Sequence, residues 1–238
     1  MPTLPVLVYH MIGDAPPAAA FPGNYVPACQ FEAQLRFLRR AGFQSVSIPE
    51  YLEYRRGRGR LPARPIVITF DDGYRRALDV AAPHLARLGF RATVFVVTGL
   101  IGRTNLWDGC ECQEPLLSVE EITAWQRSGI EFQSHTVTHR RLSELSDADV
   151  FCELVESRRT LEDLLGMHVS VIAYPWGERA DVTLRLAREA GYEAGVIVRR
   201  RTNFDHTPLF ELRRIGINSA TSLPRFAWDL ARLRWRGD

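Results

Sequence analysis

The feature that most constrains this chain is a regular alternation between short apolar runs and longer amphipathic segments. The apolar runs have the length of buried strands, and the segments between them place apolar residues at helical spacing. We predict strands at Pro5–Tyr9, Phe43–Ser47, Ile66–Phe70, Ala92–Val97, Ile130–Ser134, Val169–Ala173, Glu193–Val198 and Arg214–Asn218. Because repeated strand–helix units form a mainly parallel sheet with right-handed crossovers, an α/β fold follows.

Up to eight strands in 238 residues favour a closed or nearly closed barrel. The alternative is an open doubly wound sheet, which usually carries a glycine-rich phosphate loop after its first strand. The segment after Tyr9 reads HMIGDAPPAAAF, which is not such a loop. We therefore prefer the barrel.

Composition narrows the possible partners. The 30 basic residues nearly balance 28 acidic ones, and the short basic runs at 53–60 and 198–202 contain no stacking array of aromatic residues. We therefore expect solvated loops there and no nucleic-acid partner.

No segment approaches the roughly 20 apolar residues that cross a bilayer. The first residues lack a charged n-region and an apolar h-region, so we expect a cytoplasmic protein, with export or membrane-surface association left open. The sequence does not indicate an oligomeric state.

The cysteines are sparse. Cys110 and Cys112 are close in sequence, whereas Cys29 and Cys152 stand apart. A single C-x-C pair lacks the second pair that a structural zinc site requires. We expect free thiols, with a disulfide or a metal site as the alternatives.

Polar residues follow several predicted strands at their carboxyl ends. His10 follows the first strand, Asp71 and Asp72 follow the third, and His135 follows the fifth. In a barrel these ends share one rim, where such folds place their chemistry. Tyr174–Gly177, read as YPWG, follows the sixth strand on the same rim.

Two imidazoles and one carboxylate can bind a divalent transition metal such as zinc. Three protein ligands leave a position for water, which is typical of a catalytic site. His139 lies four residues after His135, so a helical turn or a tight loop can bring both rings to one ion. The second acid of the Asp71–Asp72 pair could then take a proton from that water.

These residues resemble motifs of the polysaccharide deacetylase family, which contains chitooligosaccharide and peptidoglycan deacetylases. TFDDG at 69–73 and HTVTH at 135–139 match its first two motifs, and YPWG corresponds to its third. The segments VLVYH and AYPWG are most similar to the poly-N-acetylglucosamine deacetylase-like subgroup. The resemblance implies a distorted (β/α) barrel of seven to eight mainly parallel strands, forming a single catalytic domain over residues 1–238.

The resemblance also implies an activity, the hydrolysis of N-acetyl or O-acetyl groups on a glycan, here with attack by metal-bound water. Asp71 would be the general base, and Asp72, His135 and His139 would bind the metal. The backbone N–H of Trp176 would help to hold the oxyanion. We expect zinc as the cofactor, with cobalt, nickel, manganese and iron as alternatives.

The chain departs from the family pattern twice. Ala173 stands where the family often has an arginine that pairs with the base, and we expect Arg214 to replace that arginine. The histidine that often acts as the general acid after the last strand is also missing. We expect His206, beside Asp205, to supply the proton, with His10 as the other candidate and otherwise a pocket residue.

The remaining rim residues are expected to contact the sugar. We predict that His10, Tyr174, Pro175 and Trp176 bind substrate. Trp107 lies in the long polar loop 102–115, which either forms a wall or lid for the sugar or is an exposed insertion.

Other functions are compatible with the same residues. One is a metal-dependent hydrolase of another C–N bond in a small molecule, and another is a catalytically inactive glycan-binding protein on this fold. Two histidines and a carboxylate also suit non-haem iron oxygenases. Those enzymes are usually all-β, so the strand–helix pattern argues against one.

Overall fold

The computed structural model describes residues 3–109, 113–177 and 180–233. Its strands are β1 Val6–Tyr9, β2 Met11–Ile12, β3 Tyr25–Val26, β4 Gln44–Ser45, β5 Pro65–Phe70, β6 Thr93–Val96, β7 Glu131–Ser134, β8 Val171–Ala173, β9 Ala194–Val198 and β10 Leu212–Gly216. Its helices are α1 Ala28–Arg40, α2 Ile48–Arg55, α3 Arg75–Leu88, α4 Val119–Arg127, α5 Asp147–Leu165, α6 Asp181–Glu189 and α7 Leu223–Leu233.

The main sheet closes on itself. Its strand order is β1-β10-β9-β8-β7-β6-β5-β4, and β1 also pairs with β5 in parallel, from Val6 opposite Val67 to Tyr9 opposite Phe70. This pairing makes a ring of seven parallel strands, and β4 adds an eighth beside the first residues of β5. The predicted α/β barrel of seven to eight strands is confirmed, and the open sheet is excluded.

The apolar strands separate two cores. In β5, Val67 packs inside the barrel with residues such as Val6 and Phe95, whereas Ile66 and Ile68 pack outward under the helices. Because successive side chains of a strand point to opposite faces, a strand covered on both sides needs a continuous apolar run. The continuous apolar run of β5 is therefore explained by its contribution to both cores.

Strands β2 and β3, which pair in a separate sheet, were not predicted, and two further details differ from the sequence prediction. Helix α2 was not predicted, although Ser47 and Glu50 form a capping box at its start, a signal that was readable as S-I-P-E. Strand β10 begins at Leu212, two residues before the predicted Arg214, so Arg214 lies inside the strand. Residues two apart on a strand lie on the same face, so Arg214 points into the barrel like Leu212, and its side chain is fully buried there.

Helix α2 covers the amino end of the barrel. Its residues Ile48, Tyr51 and Leu52 are buried among the interior strand residues. The Tyr51 hydroxyl donates to the carbonyl of Phe204, in the segment whose Asn203 pairs with Leu4 just before β1. Apolar side chains of the described residues therefore close the amino end of the barrel, and the cavity lined by residues such as Asp71 and His135 opens at the carboxyl end.

Two further predictions concern surface and membrane properties. Cys29 and Cys152 are free thiols, as expected, and both are exposed, whereas Cys110 and Cys112 lie outside the described residues. Among the helices of the described ranges, none combines the length and the apolar character that crossing a bilayer requires.

Candidate active site

The carboxyl ends of four barrel strands bring the predicted polar residues together. His10 follows β1, Asp71 and Asp72 follow β5, and His135 follows β7. All four line one cavity of about 290 Å³, as does Tyr174, which follows β8. Parallel strands end on one rim, so residues far apart in sequence meet there.

Asp72, His135 and His139 form a buried cluster whose possible ligand atoms all lie within 4.8 Å of one another. The Oδ1 atom of Asp72 is 3.2 Å from Nε2 of His135 and 3.2 Å from Nε2 of His139. Ligands about 2.1 Å from a tetrahedral zinc ion are themselves roughly 3.3 Å apart. The spacing therefore fits one small cation held by the three side chains.

Hydrogen bonding supports the same interpretation. Although it is close to both rings, Asp72 Oδ1 is buried and makes no hydrogen bond of acceptable geometry within the described residues. The Nδ1 atom of His135 lies 2.8 Å from the carbonyl oxygen of Ala173. Donation from Nδ1 leaves Nε2 as the free ligand atom, which is the usual arrangement for a metal-binding histidine. A cation held by the three side chains would satisfy this buried oxygen, which has no hydrogen-bond partner among the described residues.

Left-handed backbone conformations concentrate at this site. Among the described residues, the non-glycine positions with positive φ are Asp72 at 72°, Thr136 at 68°, His139 at 61° and Trp176 at 62°. Such conformations cost free energy and persist only where the surrounding structure imposes them. The left-handed turn at Asp72 lets the carboxylates of both Asp71 and Asp72 face the cavity.

Arg214 holds Asp71 from inside the barrel. Its Nη1 and Nη2 atoms donate to the two carboxylate oxygens at 2.5 and 2.6 Å. Nη1 also lies 3.3 Å from Thr69 Oγ1, and the guanidinium lies 5.3 Å above the ring of Phe95. A bidentate pair fixes both the position and the orientation of the carboxylate. The structure thus places Arg214 where the sequence analysis expected a replacement for the missing arginine.

The surrounding charges hold the pKa values of both carboxylates below their ordinary range despite burial. Burial raises the pKa of Asp71, but the charges of Arg214 and His135 outweigh it, and the pKa lies below its ordinary value. Burial likewise opposes the ionisation of Asp72, yet the imidazoles of His135 and His139 hold its pKa well below the usual range. The site therefore offers a cation one anionic ligand, with a second anion beside it.

Glu153 on α5 supports the loop that carries both histidines, a role that sequence reasoning missed. Its carboxylate accepts hydrogen bonds from the backbone N–H groups of Val137 and Thr138 at 2.8 and 2.9 Å and from the Thr138 hydroxyl at 2.5 Å. His135 and His139 are thereby held in a tight loop rather than a helix. No local motif marks Glu153, because α5 reaches this loop only through tertiary packing.

Aromatic rings form the walls of the cavity. Trp107 lies 4.4 Å from His139, measured between ring centroids, and lines the cavity. Trp176 lies on the other side of His139 at 5.3 Å, and its Nε1–H donates to the His139 carbonyl at 3.2 Å. Pro175 is buried in the turn that carries Trp176. Phe21, at 6.2 Å from Trp176, completes this wall and was not predicted.

Asp108, beside Trp107, also lines the cavity and was not predicted. Burial raises the pKa of its carboxyl, the charge of Asp72 raises it further, and the hydrogen bond from Asn105 opposes both. The loop after Trp107 therefore contributes polar as well as apolar surface.

His206 does not join the site, which corrects the expectation that it supplies the proton. It is exposed, and its ring stacks on Phe204 at 5.5 Å. Asn203, three residues earlier, pairs with Leu4 at the amino end of β1, the end of the barrel opposite the cavity. After β9 the chain must cross to that end before β10 can run parallel, and this crossing moves His206 away from the rim.

A parallel α/β barrel with two histidines and an aspartate on its carboxyl rim, next to a guanidinium-bound carboxylate, has the composition of a metal-dependent hydrolase site. Residues 58–195 match the family described as Polysaccharide deacetylase. This match covers more than half of the chain, and the chain belongs to that family.

Individual relatives agree with this assignment. YxkH of Bacillus subtilis, named as a polysaccharide deacetylase, is 27% identical over 222 residues, which cover 92% of this chain and 73% of that protein. A poly-beta-1,6-N-acetyl-D-glucosamine N-deacetylase of Staphylococcus aureus is 27% identical over 205 residues, covering 82% and 69%. The deacetylase PplD of Streptococcus pyogenes, solved with acetate, superposes with a TM-score of 0.83 at 27% identity, covering 95% and 97%.

Proposed function

We propose that this protein is a metal-dependent hydrolase that removes N-acetyl groups from a polysaccharide of N-acetylated sugars. The single observation that carries the proposal is the cluster of Asp72, His135 and His139 within 4.8 Å, next to the Asp71–Arg214 pair. One set of residues fits a cation and the other presents a fixed base. An amide hydrolase that uses water needs both.

The three clustered residues would hold the cation, and zinc is our proposal because two imidazoles and one carboxylate are among its common ligand sets. A divalent cation supplies polarisation of the acetyl carbonyl and a lower pKa for water. The Nδ1 contact of His135 with the Ala173 carbonyl keeps the ring nitrogen that faces Asp72 free. This contact fixes the tautomer that can bind a metal.

Asp71 is the proposed general base. Arg214 keeps it ionised and occupies both of its oxygens, so the carboxylate cannot turn away from the cavity. A water between Asp71 and the acetyl carbonyl would lose its proton to this carboxylate as it attacks. Arg214 is a positioning residue in this scheme, since its own contacts point inward to Thr69 and Phe95.

The departing amine needs a proton, and His10 is the proposed donor. It lines the cavity together with Asp71 and Asp72. The backbone N–H of Trp176, presented by the left-handed turn at φ 62°, is the proposed oxyanion donor. Tyr174 and Pro175 shape the wall around that turn, and Trp107 covers the opposite side.

The relatives favour a glycan as the substrate. The name of the Staphylococcus aureus relative specifies poly-beta-1,6-N-acetyl-D-glucosamine, and the PplD structure contains acetate, the product expected from an N-acetyl group. An aromatic-walled cavity of about 290 Å³ is suited to one sugar ring. We therefore propose N-acetylglucosamine as the residue that loses its acetyl group.

The test is acetate release from a panel of N-acetylated oligosaccharides and small N-acetylated molecules, by the zinc-loaded protein with and without chelator. We expect release from the oligosaccharides that stops on chelation. Asp71→Asn should lower the rate by about 10²–10⁴-fold while the zinc content stays the same. Zinc binding without acetate release from any substrate would identify a glycan-binding protein. Release from small molecules alone would identify a different C–N hydrolase.

A further inference from the structure

The two histidines of the cluster are oriented in different ways. The Nδ1 atom of His135 lies 2.8 Å from the Ala173 carbonyl oxygen, and this contact fixes both the ring and its tautomer. The Nε2 atom of His139 lies 3.2 Å from Asp72 Oδ1, but its Nδ1 atom is buried and has no hydrogen-bond partner among the described residues. A metal-binding imidazole usually donates its second N–H to an acceptor. Some other contact therefore has to orient the ring of His139.

The main-chain contacts of His139 do not set the direction of its ring. Its backbone N–H donates to Thr136 Oγ1 at 3.3 Å, and its carbonyl accepts the hydrogen bond from Trp176 Nε1 at 3.2 Å. These two bonds hold the left-handed backbone at φ 61°. They leave rotation about the side-chain bonds to be restrained by packing alone.

Aromatic rings provide this packing. The indole of Trp107 lies 4.4 Å from the imidazole of His139, measured between ring centroids, at an interplanar angle of 33°. Trp176 lies at 5.3 Å and 54°, and His135 at 4.9 Å and 66°. Of the three rings, Trp107 is the nearest and the most nearly parallel, which is the geometry of an offset stack. Trp107 therefore covers a face of the imidazole.

Trp107 is itself held by the loop that carries it. Thr104 pairs with Pro115 in an antiparallel bridge at the base of this loop. Asn105 is buried, its side-chain oxygen accepts from the Glu114 backbone N–H at 2.6 Å, and its own backbone N–H donates to the Glu114 carbonyl at 3.2 Å. These bonds lie two residues before Trp107, so they fix the turn that presents the indole. The loop therefore keeps Trp107 against His139.

We propose that Trp107 is a positioning residue for the metal ligand His139, in addition to its place in the wall of the cavity. This inference rests on the proposed function, since it requires a cation at the cluster. The indole restricts the imidazole to the orientation in which Nε2 faces Asp72, a restriction for which the described residues offer Nδ1 no hydrogen bond. The loop 102–115 thereby contributes to metal affinity as well as to the substrate wall.

The test is the zinc affinity of the purified protein, measured without substrate by competition with a chromogenic chelator. We expect Trp107→Ala to lower this affinity about tenfold. Trp107→Phe retains a ring that can cover the imidazole, so it should keep most of the affinity. Trp228→Ala is the matched control, because it removes an indole that is 58% exposed on α7, and it should have wild-type affinity. Circular dichroism of the metal-free proteins establishes that each variant is folded.

Unchanged zinc affinity in Trp107→Ala overturns the proposal, and so does a loss in Trp107→Phe or Trp228→Ala as large as that in Trp107→Ala. Acetate release plays no part in this measurement, so a protein that binds zinc without deacetylating any glycan fails the proposed function and still tests the inference.

If the wild type binds no zinc, the proposed function fails, and NMR spectroscopy of the metal-free protein with ¹³C-labelled histidine decides the positioning. A His139 ring that is rigid in the wild type and in Trp228→Ala but mobile in Trp107→Ala supports it. Equal ring mobility in the wild type and Trp107→Ala overturns it.

Discussion

The two ends of the barrel contain similar residues and have opposite properties. At the amino end, Asp205 and His206 are adjacent, and at the carboxyl end Asp71 and Asp72 lie near two histidines. The amino end is sealed by Tyr51 and its neighbours in α2, and His206 is exposed on the surface. The carboxyl end is open, and its charged groups are buried around a cavity.

The difference lies in what surrounds each charge rather than in residue type. At the carboxyl end, several strands contribute side chains to one place. The buried carboxylates and imidazoles therefore interact with each other in place of the water that they lose on burial. The ring of His206 instead has water on one side and Phe204 on the other. A pair of titratable residues in sequence therefore becomes a candidate site only where the fold brings further partners to it.

The largest expected effect contrasts Asp72→Ala with His206→Ala. Removing Asp72 takes the only anionic ligand from the cluster, so bound zinc should be lost. Acetate release should fall at least about a thousandfold, because the cation is expected to lower the barrier by several kcal/mol. Metal analysis after gel filtration and a rate assay measure the two effects. His206→Ala should keep both zinc and rate, and a large loss of rate in that variant would contradict the contrast between the ends.

A smaller effect is expected from His10→Gln compared with His206→Gln. Loss of the proposed proton donor should lower kcat by about a hundredfold or more, with zinc content unchanged. Substrates whose leaving group needs no proton, such as aryl acetates, should lose much less. Equal losses on amide and aryl ester would show that His10 has another role. A loss in His206→Gln as large as that in His10→Gln would remove the distinction between the ends.

The smallest effect concerns the support behind the histidines. Glu153→Gln retains the size of the side chain but weakens the hydrogen bonds to the backbone of Val137 and Thr138. We expect zinc affinity to fall by about 10–100-fold, measured by competition with a chromogenic chelator. Glu156→Gln, exposed on the same helix, is the control and should have wild-type affinity. Unchanged affinity in Glu153→Gln would mean that the loop holds its shape without α5.

Most of the fold was readable because its strands are apolar on both faces. β5, with every residue buried, appears in the sequence as an unbroken apolar run, and its closure against β1 follows from the number of strands. The predicted start of β10, at Arg214, lies two residues after the observed start at Leu212, because a charged residue is more typical of a strand end than of its interior. A fully buried arginine is compatible with a strand interior only when a carboxylate is there to pair with it, and Asp71 is remote in sequence.

The three residues able to bind a cation could be predicted from the sequence for a different reason. Asp72, His135 and His139 each lie directly after a strand or within one short loop, so local pattern and barrel topology together predict their meeting. Glu153 and Phe21 were not predicted to lie beside this site, because each reaches it from a helix or loop whose packing has no local signal.

The sequence alone determined the strand–helix order, the parallel sheet and the residues able to bind a cation, since these depend on periodicity and on chemistry carried by short segments. The tertiary structure decided which histidine lies at which end, that Arg214 approaches Asp71 through the barrel interior, and that Trp107 and Trp176 both pack near His139. These outcomes depend on distances between segments far apart in the chain, and only the closure and packing of the barrel set such distances.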